Sequence, residues 1–163
     1  MEELFKLAER VVNNATEKGL VLTVAESCTG GLVSYAITSV TGSSNVFDRG
    51  FVTYSYKSKT ELLGVSEHAL AEQGAVSPYC VEEMAMGAIN HSNAVLSVSI
   101  SGIAGPGGGL MEKPVGLVYF GYFDKSKNKL RIDKRNFTGD RHAVRMQSAT
   151  RALELFLTML NEH

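Results

Sequence analysis

Apolar residues along this chain recur in two rhythms. Leu4, Leu7, Ala8, Val11, Val12 and Ala15 fall three and four apart, which predicts a helix over 3–17 with one core-facing stripe. "LVLTVAE" (20–26) is a short β-branched run and reads as a buried strand. "LVSYAITSV" (32–40) reads as helix and "GFVTYS" (50–55) as a second strand. Ser58 and Glu61 have capping-box spacing, so a helix is expected over 58–65 with Lys59 as its first residue. Ser77-Pro78 opens another helix, to about residue 91, with the stripe Val81, Met84, Ala85 and Ala88. "AVLSVSIS" (94–101) is a third strand. "GLVYFGYFD" (116–124) and "KLRIDKRNF" (129–137) flank a Lys-Ser-Lys-Asn turn and predict an antiparallel hairpin. A last helix begins near Gly139, with Ala149, Ala152, Leu153, Phe156, Leu157 and Leu160 as its stripe. Helices alternate with the early strands and a hairpin comes late. The expected fold class is α/β: a single three-layer α/β/α sandwich over residues 1–163, with a mixed, mostly parallel sheet of about five strands.

Composition narrows the functional classes. At 163 residues one core can hide roughly 70% of the unfolded surface, so no disulfide or metal is needed to hold the fold. Seventeen acidic and sixteen basic residues leave a net charge of −1, without the basic excess of a nucleic-acid binder. No apolar run approaches a membrane span, and the amphipathic start "MEELFKLAERVV" has no signal-peptide core. Cys28 and Cys80 have no metal-ligand spacing, and no metal or cofactor is expected. The expected location is the reducing cytoplasm. His68, His91, His142 and His163 are scattered and read as surface residues.

Ligands of open α/β sheets collect beyond the carboxyl ends of the strands. Three loops qualify here: 26–31, 54–59 and 102–109. In "AESCTGG", Ser27 or Thr29 can be a helix N-cap, and Ser27 can equally be a nucleophile. Cys28 is either a thiol nucleophile at a helix start or a small buried apolar residue. No P-loop spacing and no nucleophile-elbow G-x-S-x-G is present. A serine without a histidine needs another base. Lys59 is either that base or a solvated lysine. A helix N-terminus would disfavour its charge by only about 0.3–1 kcal/mol, so burial would have to supply most of any shift. Arg141 and Arg145 lie four apart, with Arg145 in line with the inward stripe. Each suits a phosphate or a carboxylate partner.

Six segments taken in order resemble the CinA C-terminal domain family: "TVAESCTGG", "RGFVTYSYKSKTELLGV", "GAVS", "SISGIAGPGGG", "KPVG" and "FTGDRHAVR". The resemblance spans about residues 5–160 and is to the stand-alone form of the domain. It implies deamidation of nicotinamide mononucleotide to nicotinic acid mononucleotide and ammonia, in pyridine nucleotide salvage. It implies Ser27 as nucleophile and Lys59 as base, with Tyr54 beside them and the proton passing directly or through Tyr54. It implies oxyanion contacts from the backbone of Cys28, Thr29, Gly30 and Gly31. Ribose and phosphate would rest on Gly102, Ile103, Ala104, Gly105, Pro106 and Gly107, with Arg141 or Arg145. The implied partner is the small nucleotide, with no nucleic acid or membrane, and the implied assembly is a homo-oligomer, a dimer. The family pattern Y-S-N-x-x-K falls on Tyr54 to Lys59, with Tyr56 where Asn is usual. Two other readings stay open: a catalytically silent nucleotide-binding or regulatory module, and a serine amidohydrolase for another substrate.

Overall fold

The computed structural model describes residues 1–163. Eleven main elements follow in order: α1 (Glu2–Lys18), β1 (Leu22–Glu26), α2 (Leu32–Thr38), β2 (Phe47–Val52), α3 (Tyr56–Leu63), α4 (Glu67–Gln73), α5 (Pro78–Asn90), β3 (Leu96–Gly102), β4 (Leu117–Asp124), β5 (Lys129–Asn136) and α6 (Arg141–Asn161). The sheet order is β2-β1-β3-β4-β5. β1 is parallel to both β2 and β3, while β3–β4 and β4–β5 are antiparallel. The sheet is therefore mixed, with parallel and antiparallel pairs in equal number rather than mostly parallel. No helix is long and apolar enough to cross a membrane.

One face of the sheet carries α1, α2 and α6; the other carries α3, α4 and α5. The first face holds the larger core, where the stripes of α1 and α6 meet Leu22, Val24, Leu96, Val98 and Ile100. Every stripe residue expected for α1, α5 and α6 is buried. On the second face Val81, Met84 and Ala88 of α5 pack with Ala25, Leu63 and Leu70. Gly87 lets α5 and α3 touch: a Cβ there would lie 2.0 Å from the Leu63 carbonyl oxygen.

Two expectations change, and one helix, α4, was not expected. β2 begins at Phe47 and ends at Val52; it is an edge strand whose Arg49 and Gly50 are exposed and break the apolar pattern. α4 has only Ala69 and Leu70 buried, too short a stripe to register as periodicity. α3 starts three residues earlier than the capping-box spacing suggests. Its N-cap is Ser55, whose Oγ accepts the Ser58 N–H at 3.1 Å, and Ser58 turns its own hydroxyl back to the Ser55 carbonyl. Lys59 is consequently in the second turn of α3 and faces the sheet.

Candidate active site

β1 ends in a buried acid, Glu26, and the chain turns sharply through 27–31 before α2. Gly30 and Gly31 take φ of 61° and 101°, which side-chain-bearing residues rarely adopt. The Glu26 carboxylate is fully buried and accepts four hydrogen bonds: from Thr29 Oγ1 (2.7 Å), Val33 N–H (2.9 Å), Ser34 N–H (3.0 Å) and Ser34 Oγ (2.7 Å). It thus satisfies the first turn of α2 in place of a serine or threonine cap. Gly31 is the N-cap and gives no side-chain bond, so neither Ser27 nor Thr29 caps the helix. Sequence reasoning passed over Glu26, because a carboxylate at a strand end shows no local pattern.

Ser27 is left free for another role. Its N–H donates to the Ile100 carbonyl at 3.1 Å, and its Oγ lies 2.9 Å from Lys59 Nζ. Lys59 is fully buried, yet no carboxylate pairs with it. Its amine donates to the carbonyls of Thr53 (2.6 Å) and Tyr54 (3.3 Å). Burial holds its pKa below the usual lysine value, since the charged form loses hydration. A neutral amine has two N–H groups and one lone pair. The two carbonyls take the N–H groups, and the lone pair is left for the Ser27 hydroxyl. Placement in the second turn leaves the helix dipole a minor influence, so burial dominates the shift.

Cys28 follows the bland alternative. It is 5% exposed, packs in the larger core, and burial pushes its thiol up to about 11. A thiol in that state is a poor nucleophile. The main chain around it is more useful. The N–H of Ser27 and of Gly30 are spent on carbonyls, whereas those of Cys28, Thr29 and Gly31 have no acceptor in the chain.

Tyr54 stands apart from the pair. Its hydroxyl accepts from Arg141 Nη2 at 2.9 Å and bonds neither Ser27 nor Lys59. Of the two proton routes left open by the sequence, the direct serine–lysine contact is the one this geometry contains. Arg141 also donates to the Gly105 carbonyl at 2.8 Å, so it ties the 54–55 turn to the 103–109 loop. Arg145 lies inward, as its stripe position requires, but there it donates to the carbonyls of Cys28 (3.1 Å) and Thr29 (3.0 Å). It braces the turn from beneath, and a Cβ on Gly30 would come within 3.2 Å of its Nη2. Only Arg141 of the two lines the cavity.

That cavity has a volume of about 250 Å³. Ser27, Cys28 and Lys59 line it, Ala75 and Val76 form one wall, and the 101–108 segment forms another. Ala104, Gly105, Gly107 and Gly108 have N–H groups without acceptors in the chain. Tyr56, the departure from the family pattern, points away from the serine. Its hydroxyl accepts the Ala75 N–H at 3.2 Å, while Lys113 Nζ donates to the Gln73 carbonyl. The 73–76 wall is thus pinned from both sides. No cluster of three or more His, Cys, Asp or Glu side chains gathers at metal-binding distance. Of the histidines, His163 is the exception to a solvent-facing reading, with Nε2 2.6 Å from Asp124. That contact lies outside the cavity.

A three-layer α/β/α protein with a buried serine–lysine pair at the carboxyl edge of its sheet is the class that this fold and site define. The chain belongs to the CinA C-terminal domain family, whose model matches residues 4–160. It is 51% identical, over 96% of its own length and 94% of the relative's, to the nicotinamide-nucleotide amidohydrolase PncC of Enterobacter agglomerans. The protein of the same name from Escherichia coli K12 is 49% identical over 93% of this chain and 92% of that one. Among solved structures, the competence/damage inducible protein CihA of Agrobacterium tumefaciens superposes with a TM-score of 0.93 at 42% identity, covering 98% of this chain and 96% of that one.

Proposed function

We propose that this chain hydrolyses the carboxamide of nicotinamide mononucleotide, giving nicotinic acid mononucleotide and ammonia, with Ser27 as nucleophile and Lys59 as base. The observation that carries this reading is the 2.9 Å contact between Ser27 Oγ and a fully buried Lys59 Nζ at the floor of the cavity. The near 50% identity to relatives named for this reaction supports the choice of substrate. Ser27 Oγ attacks the carboxamide carbon as its proton passes to Lys59. The oxygen of the tetrahedral intermediate accepts from the free N–H groups of Cys28 and Thr29. Lys59 then returns the proton to the nitrogen, the C–N bond breaks, and ammonia leaves an ester on Ser27. Water, deprotonated by Lys59, clears that ester. The free N–H groups of the 104–108 segment and the Arg141 guanidinium hold the phosphate.

We extend this reading to a cytoplasmic homodimer, the assembly the family resemblance implies; sedimentation velocity tests the dimer. The reaction itself is tested by ammonia release from the purified chain. Nicotinamide mononucleotide should yield ammonia and nicotinic acid mononucleotide in equal amounts. Absence of both products at high enzyme concentration would sink the proposal.

A further inference from the structure

β3 carries serines at alternate positions, Ser97, Ser99 and Ser101, all buried. Alternation places them on one face of the strand, the face that α5 covers. Ser97 Oγ donates to the Ala85 carbonyl at 2.8 Å and Ser99 Oγ to the Val81 carbonyl at 2.5 Å. The acceptors are four residues apart, one turn of helix. Two residues of strand advance about 6.6 Å and four of helix about 6.0 Å, so the two ladders keep step. The next step pairs Ser101 with position 77, where α5 has already ended at its cap. Ser101 stands past the helix. It is 1% exposed and lines the cavity with Ser27 and Lys59, and the side-chain hydrogen bonds of the β3 serines engage Ser97 and Ser99 but not the Ser101 hydroxyl.

Ser101 is also the lateral neighbour of the nucleophile. Parallel pairing aligns Glu26 with Ile100, so Ser27 and Ser101 are the next pair in register. Ala25, two residues before Ser27, packs with Val81 and Met84 of α5, which puts both serines on the same face.

We infer that the Ser101 hydroxyl contacts the substrate carboxamide, accepting an N–H from the amide nitrogen and turning that nitrogen toward Lys59. This rests on the amidohydrolase reading. The donor inventory selects the role. A bound carboxamide offers one oxygen and two N–H groups. The oxygen has the N–H groups of Cys28 and Thr29. Among side chains that line the cavity, Ser27 is the nucleophile, Lys59 gives its lone pair to Ser27, the Tyr54 hydroxyl is held by Arg141, arginine has no acceptor, and the Cys28 thiol is only a weak one. Ser101 is the side-chain acceptor that remains.

The test compares nicotinamide mononucleotide with the methyl ester of nicotinic acid mononucleotide, in wild type and in Ser101→Ala. The ester has the same ring, ribose and phosphate, but its leaving group carries no N–H. Second-order constants, kcat/KM, report the step up to loss of the leaving group. Ser101→Ala should lower kcat/KM for the amide by about tenfold or more. It should leave the ester within about twofold of wild type, because no hydrogen bond is lost there. Equal losses on both substrates, or no loss on the amide, would overturn the inference. An inactive wild type would remove the functional reading and this inference together, whereas an active wild type with unimpaired Ser101→Ala removes this inference alone.

Discussion

At the scale of single residues, the chemistry depends on keeping one lysine neutral. Lys59 sits in a fully buried position with two carbonyls and one hydroxyl around its amine, and burial lowers its pKa from 10.5. A protonated Lys59 cannot accept from Ser27. Activity should therefore rise with pH through the depressed Lys59 value and level off above it, with the limb below 10.5. A pH–rate profile of kcat/KM reads this directly; a flat profile would count against Lys59 as base. Lys59→Arg should be inactive at every accessible pH, since a guanidinium keeps its proton. Ser27→Ala and Lys59→Met should each remove most turnover, and the double variant should be scarcely worse than either, because the two act as one unit. Retained activity in Ser27→Ala with loss in Cys28→Ala would reassign the nucleophile. The serine and lysine supply both nucleophile and base, so turnover should also survive prolonged chelation; loss restored by a divalent ion would contradict the mechanism.

At the scale of elements, β1, the 27–31 turn and α2 form one device held by Glu26. Its carboxylate binds both the turn, through Thr29, and the first turn of α2, through Val33 and Ser34. Glu26→Ala would leave those buried donors unpaired, at about 1–3 kcal/mol each. A stability loss of about 3 kcal/mol or more is expected by denaturant titration, with kcat falling because the Cys28 and Thr29 N–H groups lose their fixed aim. Glu26→Gln should lie between. A stable, fully active Glu26→Ala would refute this anchoring role. The same element shows what sequence can and cannot say. Helical stripes such as Leu4 to Ala15 repeat over about three turns, so α1, α5 and α6 were readable from spacing alone. Ser27, Lys59 and their pairing as nucleophile and base were implied by the ordered family motifs, whereas no local spacing encodes a contact between positions 32 apart. Nor was the Ser55 cap, since Ser55 and Ser58 each fit and only the backbone path out of β2 decides between them. Arg145 was rightly read as inward, yet its partners are carbonyls of a turn 116 residues away, which no local pattern encodes.

At the scale of the whole molecule, three distant segments meet at one edge of the sheet, and Arg141 is where they join. It bonds the Tyr54 hydroxyl after β2 and the Gly105 carbonyl after β3, from the first turn of α6. A guanidinium has five N–H donors, so these two contacts leave others for a ligand. Beside it lie the free N–H groups of Ala104, Gly105, Gly107 and Gly108. Arg145 also spends two donors, on Cys28 and Thr29, but unlike Arg141 it does not line the cavity. The phosphate should therefore be gripped by Arg141 and the loop, and nicotinamide riboside should be a much poorer substrate than the mononucleotide. Hydrogen bonds to charged groups contribute about 1.5–3 kcal/mol each, so losing two should lower kcat/KM on the order of a hundredfold or more. Arg141→Ala should collapse much of the difference between the two substrates. Arg145→Ala should instead lower activity toward both alike, because it loosens the turn that carries Ser27. Equal kcat/KM for riboside and mononucleotide in wild type would refute the phosphate site, and an unchanged preference in Arg141→Ala would assign it to the backbone of the 104–108 segment alone.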